Sequence, residues 1–435
     1  MISRREFFKK SSMGFGTLAL SGVMQQDLLG AQSPLYPKTP HHAPKAKSVI
    51  FLYMDGGVSQ VDSFDPKPQL DKENGQAPKF KVDATVFNKN GNLLKSPWEF
   101  KRYGQSGLPI SDLFPHIGSC ADDLCVIRSM TAHSPNHPNA NYALHCGHVL
   151  SGRPSMGAWT SYGLGTLSQN LPSFVVIHGG QVPSGGMQCF GSGFLPANHQ
   201  GSIFLSKHPV LNNTSHLEQK ASIQKTKLEF LNEMDGDLEA RLSHAQAIES
   251  AIQNYELAYR MQMEVPDVTD LTGETEATKK LYGLDAPFEN TREYGAQCLM
   301  ARRLVERGVR FVELTIGTGT GDRWDQHTKL IDGHQKNAMA VDQPIAGLIK
   351  DLKSRGLLDS TLIVFSGEFG RTPFAQGTNG RDHNPQGFSL WMAGGGIKGG
   401  TTYGATDEYG YRVVENKLTV HDLHANMLHL LGIDH

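Results

Sequence analysis

The sequence lacks any apolar run of the roughly 18 residues that a membrane-spanning helix needs, so an integral membrane protein is not expected. It also lacks an excess of either charge. Lys plus Arg number 41 and Asp plus Glu 43, a formal net charge of −2. That balance argues against nucleic acid or an anionic membrane surface as the main partner, since either favours a basic excess. Cysteine is scarce and odd in number: Cys120, Cys125, Cys146, Cys189 and Cys298. No C-x-x-C pair occurs, which excludes a zinc ribbon and a thioredoxin-type motif. Whether Cys120 pairs with Cys125 is left open. No G-x-S-x-G is present, which disfavours a nucleophile-elbow hydrolase. Gly394, Gly396 and Gly399 spell G-x-G-x-x-G, but no helix opens after them, so they do not mark a dinucleotide site.

What is present is length, glycine and alternation. The chain has 435 residues, ample for a large core, and 47 of them are glycine, which predicts many tight turns. Residues 3–9 read SRREFFK and are similar to a twin-arginine export signal; a weakly apolar stretch and the small residues Leu29-Gly30-Ala31 follow in order. Residues 1–31 are therefore expected to be a signal peptide. The twin-arginine translocase is the expected partner in export, and the periplasm or the extracellular space the destination. Residues 32–47, rich in Pro, Lys and His, are expected to be a linker.

The remainder, 48–435, reads as one domain. Apolar strands are expected at 48–54, 124–127, 174–177, 310–316, 361–365 and 388–392. Helices are expected at 138–150, 231–259, 293–307, 337–353 and 421–431. Segments 66–110 and 215–263 read as insertions. Strands that alternate with helices define an α/β class with a mostly parallel central sheet flanked by helices.

In such sheets function collects at the C-terminal ends of the strands. Three positions there carry oxygen or imidazole ligands: Asp55 in MDGG, the segment 322–327 with Asp325 and His327, and Glu368 after TLIVFSG. Acids and histidines supplied by distant segments suit a metal site.

The motifs GEFGRTP (367–373), GRDHNP (380–385), AGGGIKGG (393–400) and DLHANMLHLLGID (422–434), with WDQH (324–327), resemble the exported bacterial family known as domain of unknown function 1501. That family resembles the alkaline phosphatase and sulfatase superfamily. The resemblance covers nearly all of the mature chain. It implies an alkaline phosphatase-like fold, one or two divalent metals, and hydrolysis of a small or polymeric anionic ester, phosphate or sulfate. It implies metal ligands at Asp55, Asp325, His327, Glu368 and His383. Phe369 stands where the superfamily has a histidine, and D-x-H replaces the usual D-x-x-x-H. No C-x-P-S-R occurs, which argues against a formylglycine sulfatase. The nucleophile's place falls on His137, which could act as metal ligand, phosphoryl acceptor or general base; Ser134 is the nearby hydroxyl. Arg371 and Arg381 are expected to hold the substrate anion. Mixed carboxylate and imidazole ligands favour zinc or manganese, with calcium or magnesium possible. His145 and His148 read as structural, and His421, His424 and His429 as solvated or capping. The rival reading is a non-catalytic metal-binding or structural protein that keeps the fold.

Overall fold

A computed structural model describes residues 35–180, 182–206, 226–227, 229–230, 246–316 and 323–435. The expected signal peptide at 1–31 and the first half of the helix expected at 231–259 lie outside these residues.

The strand β1, Ser48–Tyr53, is buried at every position, which fits a run of six residues apolar on both faces. It lies inside an eight-stranded sheet with β2 (Leu124–Met130), β3 (Phe174–His178), β4 (Ser202–Leu205), β5 (Phe311–Thr315), β6 (Thr361–Ser366), β7 (Phe388–Ala393) and β8 (Thr401–Tyr403). The spatial order is β8-β2-β7-β6-β1-β5-β3-β4. Only β7 runs against its neighbours; every other pairing in the sheet is parallel. The class expected from the alternation is thus the class observed.

Helices cover both faces. On one face, α1 (His137–Cys146), α2 (Met156–Leu164) and α6 (Val420–Leu430) pack with Phe51, Tyr53, Val176 and Met392. The other face is covered by α4 (Glu289–Glu306) and α5 (Leu330–Ser354), which pack with Ile50, Leu52, Leu314 and Phe365. Between them in the chain, α3 (Gln246–Thr269) is the described part of the expected long helix; it runs ten residues further than the pattern suggested.

Two departures from the expected layout have plain causes. Residues 35–47 are not a free linker: Lys38 N–H donates to Leu164 C=O, and Lys45 and Ala46 N–H both donate to Leu430 C=O. Polar composition hid these backbone bonds. Segment 370–384, to which the sequence pattern assigns no element, forms a hairpin of Gly370–Gln376 and Gly380–Asn384 that pairs with Asn90–Leu93 of the first insertion. All five cysteines are free.

The helix α1 matters most for the site. Pro138 in its first turn has no N–H to lose, and Gly147 closes it in the left-handed conformation. His145 locks it to the sheet, with Nε2 2.7 Å from Glu313 on β5 and Nδ1 2.8 Å from the Asn141 carbonyl. His421 and His424 donate to the carbonyls of Gly147 and Leu144 at the far end of α1, a capping role.

Candidate metal centre

Adjacent strands β6, β1 and β5 lie side by side, and β1 and β6 each release an acid just after the C-terminal end. After β1, Asp55 enters a turn in which Gly56 and Gly57 have φ of +106° and +79°. A Cβ on Gly56 would lie 2.7 Å from the Asp325 backbone nitrogen, so only glycine lets the two segments approach. After β6, Glu368 is 1% exposed and accepts the Gly56 N–H at 3.0 and 3.1 Å. The segment 323–327, which follows β5, threads between this turn and the hairpin. Trp324 N–H donates to Asp55 C=O, and Arg381 N–H to Gln326 C=O. Gly380 permits the second approach, since a Cβ there would sit 1.9 Å from the His327 carbonyl oxygen.

Four side chains converge. One ligand atom each of His137, Asp325, His327 and His383 lie within 4.8 Å of one another. The hydrogen bonds explain how the three imidazoles are aimed. His137 Nδ1 lies 2.5 Å from Glu368 Oε1, and His383 Nδ1 lies 2.6 Å from the Pro135 carbonyl. His327 Nδ1 meets the Gln376 side-chain oxygen. Each partner is an acceptor, so each Nδ1 carries a proton, and in the neutral ring each Nε2 offers a lone pair. All three Nε2 atoms face one carboxylate: His327 at 2.9 Å, His383 at 3.1 Å and His137 at 3.2 Å from Asp325 oxygens. A neutral imidazole lone pair against a carboxylate is repulsive unless a proton or a metal ion lies between. His137 Nε2 is buried, and Asp325 is the group it faces.

The three histidine-to-carboxylate separations fit an ion. Four ligands at about 2.0 Å in a tetrahedron are about 3.3 Å apart. Anchoring of each ligating imidazole through its other nitrogen is the usual support of a metal site. Arg371, fully buried, donates through Nη2 to Asp325 Oδ1 at 2.5 Å and fixes that carboxylate.

The ionisable groups of the cluster shift one another. Burial alone would lower the His137 pKa, but hydrogen bonds with Asp325 and Glu368 raise it to about 9. Burial alone would raise that of Asp325, yet His137, His327, His383 and Arg371 hold it well below the carboxylate range. His383 is pushed down to about 4 by burial, with the Arg371 charge adding to the effect.

The other expected residues fall outside the four-atom cluster. Glu368 orients His137 instead of joining the cluster. Asp55 accepts the Tyr53 hydroxyl at 2.8 Å and is paired with Arg323. Tyr53 also contacts Asn141 and Glu368. Both ring nitrogens of His137 face carboxylates, so the nucleophile's place expected for it gives way to a place in the cluster. The substrate-anion role expected for Arg381 fails: it is fully buried on Asp62 at 2.7 and 3.0 Å, and its Nη1 donates to Thr372 C=O. Arg371 is likewise spent, on the carbonyls of Gly56, Gly57 and Arg381 as well as on Asp325. Ser134 accepts the Asn136 N–H.

Sequence reasoning missed Tyr53, Asn141, Gln376 and Arg323. Asn141 had a signal, since it lies one helical turn beyond His137 on the same face. From the first insertion, Phe87, 49% exposed, sets its ring edge-on to His327 at 4.6 Å and forms part of the rim.

Comparison with known proteins places the chain in a family. The family model described as "Protein of unknown function (DUF1501)" matches residues 46–435, and the chain belongs to that family. No curated protein is similar enough to match. Among solved structures, it is similar to the sulfatase PsFucS1 from Pseudoalteromonas sp., with 13% identity, TM-score 0.38, and coverage of 91% of this chain and 68% of the other. It is also similar to the lipoteichoic acid synthase LtaP from Listeria monocytogenes, with 9% identity, TM-score 0.41, and coverage of 92% and 77%. A third is the alkaline phosphatase from the Antarctic bacterium TAB5, with 10% identity, TM-score 0.37, and coverage of 90% and 99%.

Proposed function

We propose that the protein is a metal-dependent hydrolase of phosphate or sulfate esters, exported by the twin-arginine route. The observation that carries the metal reading is the convergence of three Nε2 lone pairs on the Asp325 carboxylate, each imidazole pinned through Nδ1. The motif resemblance supports the ester class. Export rests on the order of residues 3–31 alone. Among the described residues no helix is long and apolar enough to cross a membrane.

Three imidazoles and one carboxylate favour zinc, with manganese next. A divalent ion held there would supply Lewis-acid charge to a developing oxyanion and lower the pKa of water. The chain's own residues do the positioning. Glu368 orients His137, Gln376 orients His327, the Pro135 carbonyl orients His383, and Arg371 holds Asp325. Asp325 stays 32% exposed and His327 20%, so the cluster opens to solvent on the side where an ester would arrive.

One observation favours the non-catalytic rival. Four protein ligands complete a tetrahedron, as in structural zinc sites, whereas catalytic sites keep a position open. Turnover separates the two. Zinc- or manganese-loaded protein is assayed on aryl phosphates, phosphodiesters and aryl sulfates, with and without chelator. Hydrolysis of at least one ester, abolished by chelation and by Asp325→Ala, supports the hydrolase. No turnover by fully loaded protein leaves the binding reading.

A further inference from the structure

Beside the cluster lies a second pair of buried acids. Asp55 is 3% exposed and Glu368 1%. The Tyr53 hydroxyl joins them, 2.8 Å from Asp55 Oδ1 and 3.4 Å from Glu368 Oε2. Two carboxylates this buried and this close need a counter-charge, because an unpaired buried charge is costly. A divalent ion would serve, but the donors beside the pair are the Tyr53 hydroxyl, the Asn141 amide and His137 Nδ1, which Glu368 already holds. Phe369 stands next to Glu368, with its ring centroid 4.7 Å from that of His137 and 4.6 Å from that of His383. The residue that follows Glu368 thus packs on the first cluster's imidazoles and offers the acid pair no ligand atom.

The chain brings its own cation instead. Arg323 directs Nη1 onto Asp55 Oδ2 and Nη2 onto the Val182 carbonyl at 2.7 Å. Its side chain is 14% exposed. Its backbone is left-handed, with φ of +52°, an uncommon conformation for a residue with a Cβ. The neighbouring Trp324 N–H, bonded to the Asp55 carbonyl, holds the backbone there. A guanidinium stays charged at any working pH. Coulomb repulsion at a few ångströms in a low-dielectric site disfavours a second divalent ion next to it.

We infer that the Arg323 guanidinium, paired with Asp55 beside Glu368, holds the place of a second metal ion, so that the centre takes one divalent ion and not two. This rests on the metal-centre reading above and deepens it. Arg323 supplies fixed positive charge on the Asp55 side, and the exchangeable ion sits on the Asp325 side. The reaction is then driven by one metal and one arginine, and the second charge needs no metal supply.

Metal counting tests this without reference to activity. Full-length protein is stripped with chelator, reloaded with zinc, freed of excess ion and analysed by native mass spectrometry and elemental analysis. Wild type, Arg323→Lys and Phe369→His each bind one zinc, since a cation still occupies the acid pair. Arg323→Met/Phe369→His binds two, because the charge is gone and an imidazole is offered. Two zinc ions in wild type or in Phe369→His overturn the inference, as does one zinc in the folded double variant. Should the double variant not fold, the wild-type and Phe369→His counts decide alone. A count of zero in folded wild type has a different meaning: it removes the metal-centre reading, and the inference falls with it.

Discussion

Glu368 and His137 are 231 residues apart in the chain and 2.5 Å apart in the fold. That contact decides which nitrogen of His137 carries a proton, and so which one faces Asp325. Glu368→Gln keeps the size but loses the charge that holds the imidazole. Loss of such an anchoring partner costs about 10- to 100-fold in metal affinity. Competition titration of zinc against a chromophoric chelator should show a loss in that range, with stoichiometry kept at one. Unchanged affinity would show that Glu368 does not support the ligand.

The His137 proton gives metal uptake a pH dependence. Its folded pKa, about 9, is raised above the ordinary 6.5 by Asp325 and Glu368 against burial. In the metal-free protein the stability this adds is therefore full below about pH 6.5 and is lost as pH rises through about 9. Zinc must displace that proton. Apparent zinc affinity should rise about tenfold per pH unit between roughly pH 7 and 8.5, one proton per ion. Isothermal titration in buffers of differing ionisation enthalpy counts the proton. A flat profile would mean that His137 is neutral in the metal-free protein or does not bind the ion.

Arg381 and Asp62 are predicted to be stability residues. Both side chains are 0% exposed and doubly hydrogen-bonded. Removal of one partner strands a buried charge and costs about 3–5 kcal/mol. Arg381→Met should lower the urea midpoint accordingly while the folded fraction still binds one zinc. Asp62→Leu/Arg381→Met should recover much of the loss. A catalytic or substrate-binding Arg381 would instead leave stability intact and remove turnover.

The buried His334 predicts an acid limb. Its Nδ1 lies 2.6 Å from the Gln326 side-chain oxygen, and its Nε2 accepts the Ser59 N–H, so the neutral ring is the one that fits. Burial lowers its pKa to about 3, with Arg371 and Arg381 acting in the same direction and Asp62 against. The unfolded chain binds this proton near pH 6.5 and the folded chain does not. Stability is thus whole above about pH 6.5 and falls by about 1.4 kcal/mol per unit as pH drops toward 3. His334→Gln should be shallower by about one proton in urea midpoints measured from pH 6.5 to 4.5. An unchanged slope would contradict this.

The sheet and its acids were legible because their signals are local. The run 48–54 is apolar on both faces and ends in Asp-Gly-Gly, and the strand ending before Glu368 reads the same way. The hairpin 370–384 was not legible as structure. Arg371, Arg381 and His383 are charged or polar residues at 0–4% exposure, and polar burial leaves no periodic trace. Arg371 and Arg381 look alike in sequence, yet one fixes Asp325 and the other is paired with Asp62, a difference that exists only as contacts. Tyr53 and Gln376 act through partners far along the chain, so no spacing could reveal them. Phe369 for histidine and D-x-H for D-x-x-x-H were visible in the sequence as departures from the pattern that the resemblance implies.

The central claim is one divalent ion held by His137, Asp325, His327 and His383. X-ray absorption spectroscopy at the zinc edge of the reloaded, full-length protein tests it most directly. The account predicts one zinc per chain in a four-coordinate shell of nitrogen and oxygen at about 2.0–2.1 Å, with outer-shell scattering from three imidazoles that falls to two in His383→Ala. A shell containing sulfur, or one left unchanged by His383→Ala, would contradict it.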